Sequence, residues 1–435
     1  MGDRIRVLCI STSDSEGGAA RAAYRIQMSV RELGIESKML VKEKRTSDVN
    51  VIPLEELIPH NFFYRVFDWV RNKIKNKWQH YQWGKYPEKK PYYLSDLRST
   101  DLCGALKKLD YDILHLHWVN QRFLPLEILP KDKPIVWTLH DSWAFCGVCH
   151  YFLDCDGYLE ECGCCPHLAS TNPNDLSHKI WRRKQKLYQN LDLHIVTPSR
   201  WLCDCAKKSG LLGRFPITII PNCLDINVFR PLCETEMSPR WNTLLKSRIE
   251  KPIVLYGAVN AATDRIKGFS YLVSALQILE KAGKGDLFEL MVFGTDKPLV
   301  GIPVSIPIRY VGYVKDENEL VSLYNMASVM VVPSLTEVFG QTASEALACG
   351  TPVVAFQCTG IQDVVDHKIN GYLAKPYEPE DLAEGIVWCL QHNENRVLSK
   401  QARKKVLSYF SQEMISQQYY ELYAKLAIKK EEIKC

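Results

Sequence analysis

No apolar run in this 435-residue chain reaches the roughly 18 residues that cross a bilayer, so no membrane span is expected. The start, Met1 to Ile10, carries Arg4 and Arg6 inside a strand-like run and has no signal-peptide core. An excess of one charge is also missing: the formal net charge of +5 is too mild to argue for a nucleic-acid partner. Neither a P-loop nor G-x-G-x-x-G spacing occurs, which removes the two commonest phosphate-binding fingerprints. No side chain stands out as a covalent nucleophile. These absences lead to a cytoplasmic expectation, extending at most to the inner face of the plasma membrane. The 16 cysteines are then expected as thiols or metal ligands, not disulfides.

The length exceeds a usual single core and makes two domains the expectation. Strand-like runs at Arg4 to Ser11, Ile35 to Val41, Ile113 to Trp118, Ile135 to His140, His194 to Pro198 and Ile217 to Pro221 recur through the first half. Helical stretches such as Ser177 to Gln189 and Ser199 to Ser209 separate the later ones. Such alternation predicts an α/β protein with a parallel, doubly wound sheet. The second half repeats the logic with strands at Ile253 to Gly257, Phe288 to Gly294 and Ile308 to Val314, and helices at Phe269 to Lys281 and Glu317 to Ala327. The predicted organisation is an N-terminal domain over 1–225, a C-terminal domain over 226–410, and a last amphipathic helix within 411–435 that returns to the first domain. One segment breaks the pattern by its composition. Residues 61–90 combine Phe62, Val66, Trp69, Val70, Ile74 and Trp78 with Arg71, Lys73, Lys75 and Lys77. That pattern suits a membrane surface or a partner groove, or a helix packed on its domain with its lysines in water.

The stretch Pro333 to Pro352, PSLTEVFGQTASEALACGTP, lies between two apolar strands, Ser328 to Val332 and Val353 to Phe356. Gly340 breaks the chain before a helix of small residues, and Gly350 with Pro352 stops it. The N-terminus of such a helix offers unpaired N–H groups and partial positive charge, suited to a phosphate or diphosphate. Glu337 sits in the loop ahead of it and Glu345 one turn inside it. Together, framing Phe339-Gly340, they resemble the E-x7-E motif of the retaining, GT-B fold nucleotide-sugar glycosyltransferases of family 4. The resemblance covers both halves and is clearest from Ile253 to Leu382. Pro221-Asn222-Cys223-Leu224-Asp225 resembles the family's interdomain linker, with Cys223 where a glycine is usual.

The resemblance implies two Rossmann-like domains facing across a cleft, with donor binding at Glu345, Phe339, Gly340 and Gln341. It also implies a retaining transfer in which the departing phosphate helps to deprotonate the acceptor hydroxyl, so that no cofactor is required for catalysis. Lys267, ahead of Gly268 at a helix start, suits neutralisation of the diphosphate leaving group. A lysine there opposes the helix dipole and so needs a reason. Many relatives carry an Arg after the first glycine of the preceding strand. Ala258 stands there in this chain, and Arg265 is the candidate substitute. His140, in Trp137-Thr138-Leu139-His140-Asp141 at a strand end, matches the family histidine that faces the donor sugar. Gly17 and Gly18 form a glycine loop that relatives carry on the acceptor side. His115 and His117, alternating on one strand, read as structural or wall residues.

Six cysteines fall between Cys146 and Cys165, in a loop with little periodicity that buries little apolar surface by itself. Cys149, Cys155, Cys162 and Cys165 are the candidate structural zinc ligands, with Cys146 or His150 as replacements. The C-x2-C spacing of Cys162 and Cys165 carries most of the signal. The leading function is sugar transfer from a nucleotide sugar to a saccharide or lipid-linked saccharide of the cell envelope. A nucleotide-sugar epimerase or phosphorylase of similar fold, and a non-catalytic sugar-nucleotide binder, remain alternatives.

Overall fold

The computed structural model describes residues 4–58, scattered positions between 70 and 87, and residues 102–121, 123–241, 251–257, 264–295 and 303–434. Ala258 and most of segment 61–90 lie outside these residues. The chain divides into two compact units, one up to Ile220 with Ile415 onward, the other Pro221–Met414.

In the first unit, strands β1 (Arg6–Ser13), β2 (Glu36–Glu43), β3 (Val51–Pro53), β4 (Ile113–Leu116), β5 (Ile135–Thr138), β6 (Leu193–Thr197) and β7 (Ile217–Ile219) form one sheet. Its order is β3-β2-β1-β4-β5-β6-β7, and all pairings are parallel. β4 and β5 are buried at every position, as a parallel sheet covered on both faces requires. Side-chain caps start two of the covering helices: Asp175 accepts from His178 N ahead of Leu176–Tyr188, and Ser199 from Leu202 N ahead of Arg200–Lys208. The tail helix Gln412–Lys434 buries Ile415, Tyr419, Leu422, Tyr423 and Leu426, an i, i+4, i+7 stripe. Tyr419 Oη lies 2.9 Å from Thr138 Oγ1, and Tyr423 Oη lies 2.6 Å from His115 Nδ1.

In the second unit, β8 (Ile253–Gly257), β9 (Glu289–Phe293), β10 (Ile308–Gly312), β11 (Val329–Val332), β12 (Val353–Phe356) and β13 (Gly371–Ala374) pair in parallel in the order β10-β9-β8-β11-β12-β13. Period-two alternation divides the strand side chains between two cores. Ile253, Leu255, Met330, Val332 and Val353 enter one, and Val254, Tyr256, Val329, Val331 and Val354 the other. Arg403, on the helix Val397–Tyr409, donates to the carbonyls of Ile226, Phe229 and Ala348 and ties the start of the unit to its end.

Some boundaries move. The first strand runs Arg6–Ser13 instead of Arg4 to Ser11, because the chain stays buried through Ser13. The short strands β3 and β13 and the helices Pro379–His392 and Val397–Tyr409 were not anticipated. Among the described residues, no helix is long and apolar enough to cross a membrane.

Candidate active site

The site of the second unit follows from its strand order. β8 and β11 are hydrogen-bonded neighbours, with Val254 beside Val329 and Tyr256 beside Val331, and the order reverses between them. Loops leaving the carboxyl ends of two such strands emerge side by side, which is where open α/β sheets bind ligands. The β8 loop ends in a 3-10 turn, Arg265–Lys267, whose Ile266 N donates to Asp264. Gly268 then caps the helix Phe269–Lys281 at φ 65°, and a Cβ there would stand 1.7 Å from Pro333 O. Only glycine admits that approach of the β11 loop. Leu335 N donates to Ile266 O at 2.8 Å and fastens the two loops.

This juxtaposition brings Lys267 Nζ to 2.8 Å from Glu337 Oε1, which also accepts from Ser334 Oγ at 2.9 Å. The ion pair supplies the reason for a lysine at an unfavourable helix start. Glu337 N donates to Thr359 Oγ1, and its carbonyl accepts from Gly360 N, so the loop after β12 joins the same point. The helix Gln341–Ala348 begins at Gly340, with Gln341 half-buried at its first turn. Glu345 lies one turn in, only 2% exposed, and accepts from Tyr324 Oη at 3.0 Å. Phe339 is different: its side chain is a core residue, edge-on to Phe410. Arg265 is exposed on its turn, while Lys267 holds the carboxylate.

In the first unit the order reverses between β1 and β4. Gly17 follows β1 at φ 87°, caps the helix Gly18–Glu32, and has no atom within 4 Å of where a Cβ would point. His140, half-buried just past β5, has its Nε2 3.1 Å from His117 Nδ1, with the two rings stacked. Burial pushes the His140 imidazole down to about 4 and His115 to about 3, and holds His117 well below its ordinary value. All three are therefore neutral at pH 7. His115 is structural, bonded to Thr138 Oγ1 on one ring nitrogen and Tyr423 Oη on the other.

His117 is the partner of His140, a role the sequence reading missed. The signal was its i, i+2 alternation with His115 on a strand adjoining the one that ends at His140. Asp141 was also passed over. Its carboxylate accepts from Trp118 Nε1 at 2.7 Å, from Trp143 N at 2.8 Å, and bonds to His150 Nδ1. These partners hold it below the usual carboxylate range against the cost of burial.

The cysteine-rich loop follows directly. Cys146, Cys149, Cys162 and Cys165 are buried and Cys155 is half-buried. The Cys165 thiol is drawn down to about 7 by hydrogen bonds from Cys149 and from the backbone N–H groups of His167 and Leu168. Against the start of the loop, Lys184 is 1% exposed, and its ammonium donates to the carbonyls of Trp143, Cys146 and Gly147. Burial lowers that amine to about 7.

Comparison with known proteins places both units. Residues 17–228 match the sequence family described as Glycosyltransferase Family 4, and residues 250–392 match Glycosyl transferases group 1. The chain belongs to the GT-B glycosyltransferases of family 4. Among relatives of this family 4 chain, the putative colanic acid biosynthesis glycosyl transferase WcaC of Escherichia coli K12 is 27% identical over 267 residues, 59% of this chain and 61% of WcaC. The D-inositol 3-phosphate glycosyltransferase of Corynebacterium jeikeium is 27% identical over 339 residues, 73% of each chain. The match to the uncharacterized glycosyltransferase MJ1607 of Methanocaldococcus jannaschii spans 41% of that protein. Sucrose-phosphate synthase from Thermosynechococcus elongatus superposes with a TM-score of 0.61 at 20% identity, over 97% of this chain and 99% of its own. Anabaena Alr3699/HepE, solved in complex with UDP and glucose, gives a TM-score of 0.62 at 16% identity, over 97% of this chain and 100% of its own. These superpositions establish a shared GT-B fold.

Proposed function

We propose that this chain is a retaining glycosyltransferase that moves a sugar from a nucleotide sugar to a saccharide or lipid-linked saccharide in cell-envelope polysaccharide synthesis. The observation that carries the reading is the Lys267–Glu337 pair at the β8/β11 reversal, beside the helix start at Gly340 and one turn from Glu345. A diphosphate at that helix start meets backbone N–H groups and one lysine ammonium. As the anomeric C–O bond to the leaving phosphate breaks, both stabilise the charge that develops on it. The acceptor oxygen bonds to the anomeric carbon on the face being vacated, and its proton passes to the departing phosphate. In this reading Glu337 turns from Lys267 toward the donor sugar, and Glu345 accepts from the ribose diol. His140, neutral and held by His117, is the histidine that the family resemblance assigns to the sugar. The names of the E. coli and corynebacterial relatives, and UDP with glucose in the Anabaena protein, support this class.

The test is a thermal-shift screen of nucleotide sugars, UDP-sugars first, followed by assay of free nucleotide with saccharide acceptors. Acceptor-dependent release of nucleotide supports transfer. An altered nucleotide sugar formed without acceptor identifies an epimerase, phosphate-dependent turnover a phosphorylase, and stabilisation without turnover a binder. A lipid-linked acceptor would make membrane docking by segment 61–90 useful. Of its described positions, Val70, Ile74 and Tyr81 are exposed, as are Lys73 and Lys77. Co-sedimentation with anionic liposomes should fall with salt and in a Lys73, Lys75 and Lys77 triple alanine variant. Equal sedimentation of the two proteins would remove docking from the proposal.

A further inference from the structure

The cysteine-rich loop holds a constellation that sugar transfer does not use. Cys149 and Cys165, sixteen residues apart in sequence, meet side chain to side chain. Three of the sulfurs also receive backbone N–H groups: Cys165 from His167 and Leu168, Cys162 from Gly147 at 3.2 Å, and Cys155 from Gly157. These hydrogen bonds fix where the sulfurs point. The backbone is held to this arrangement elsewhere. Asp175 accepts from Cys165 N at 2.8 Å while capping the helix Leu176–Tyr188, and Cys164 N donates to Asn172 O.

A second observation comes from that helix. Lys184 lies in the interior with all three of its hydrogen bonds going to neutral carbonyls, and with its ammonium 3.6 Å from the centre of the Trp143 ring. A buried ammonium whose direct hydrogen-bond partners are all neutral is costly. Cys146, Cys162, Asp141 and Cys149 are near enough to interact with it electrostatically. Four thiolates around one divalent ion carry a net charge of −2, and that charge would compensate the ammonium.

From these features we infer that Cys149, Cys155, Cys162 and Cys165 bind one structural zinc ion in the first unit, with Lys184 as the buried counter-charge. The four thiols give up their protons on binding, and no redox change is involved. Zinc–sulfur bonds of about 2.3 Å bring tetrahedral sulfurs to about 3.8 Å from one another. The loop cysteines do not form a trio of donors within 4.8 Å, so the metal is expected to tighten the loop. Among the described residues the one trio gathered that closely is Cys9, His115 and His117. That trio is a poor metal site, because both ring nitrogens of His115 are already held by Thr138 and Tyr423. The zinc acts on order: the same loop delivers His150 to Asp141, next to His140. The proposal stands independently of the sugar-transfer reading.

The experiment is metal analysis of the full chain, expressed without added metal and purified reduced. The expected result is about one zinc per chain. Most of it should be lost from a Cys162→Ser, Cys165→Ser double variant and retained in His117→Ala. Titrating the wild type with a thiol-specific mercurial should release the zinc as the thiols react, a readout that needs no folded variant. Zinc well below one per chain in reduced wild type would overturn the proposal. So would zinc that survives the double cysteine variant but leaves with His117→Ala, or zinc that the mercurial does not displace.

Discussion

Both units put their polar groups where the order of strands reverses, yet they hold them in opposite ways. At the β8/β11 reversal a lysine and a carboxylate face each other across two loops, 29% and 18% exposed, on top of a sheet whose two faces are apolar. Near the β1/β4 reversal the polar groups are buried in the sheet itself, as neutral imidazoles bonded to hydroxyls and to each other. The first arrangement keeps charge near water, where it can be exchanged for a ligand at little cost. The second is rigid, because a buried donor or acceptor without its partner costs about 1–3 kcal/mol. Under the proposed function, charge stabilisation falls to the second unit and orientation to the first.

Removing the charge should have the largest effect. Lys267→Ala is expected to lower the turnover number by about 10²–10³, the usual cost of losing one charge-stabilising donor. The same change in steady-state rate from His140→Ala would blur the division of labour. Glu345→Ala comes next: losing a charge-assisted hydrogen bond of about 1.5–3 kcal/mol should weaken nucleotide binding about tenfold or more. Calorimetric titration gives the affinity, and an unchanged dissociation constant with an intact circular dichroism spectrum would remove Glu345 from the donor site.

The pH response sharpens the comparison further. An imidazole whose pKa is lowered by burial stays neutral in the folded unit while the unfolded chain takes up a proton below about 6.5. Its stabilising effect is therefore complete above about pH 6.5 and is lost as pH falls toward the folded values of about 4 for His140 and about 3 for His115. At pH 5 the buried His115 alone should cost about 2 kcal/mol, taking 1.36 kcal/mol for each pH unit below 6.5. Amide exchange between pH 7 and 5, corrected for intrinsic rates, should show β4 and β5 losing protection while β8 and β11 keep theirs. Equal loss in both sheets would refute the assignment. The smallest effect expected is Gly17→Ala. The site has open space around it but a φ of 87°, so strain of about 1 kcal/mol is expected, with nucleotide affinity untouched. Denaturant unfolding measures the first and titration the second.

Hydrophobic period and helix stops were enough to place most of the fold. Ile253–Gly257, Phe269–Lys281 and Val353–Phe356 fall where the sequence places them, since long apolar runs bounded by glycine or polar residues admit one reading. β3 escaped because three residues carry too little periodicity to register, and β13 because Gly371 opens it and breaks its apolar run. At the candidate site, the glutamates, the lysine and the glycine were marked by residue type and spacing together with the family resemblance.

Their partners were not. That Lys267 meets Glu337, 70 residues away, depends on β8 and β11 being neighbours, and strand order is a property of the sheet, not of either segment. That His117 supports His140 depends on β4 lying beside β5, and that Tyr423 bonds His115 depends on the tail helix packing on the first unit's sheet. Phe339 shows the limit most plainly: its neighbours in sequence mark it for the donor loop, and the packing of Phe410 against it makes it core. Residue type and local period, which act through backbone sterics and burial, were set by the chain itself. Which distant charges and rings became partners was decided only when the parallel sheets formed and brought the ends of their strands together.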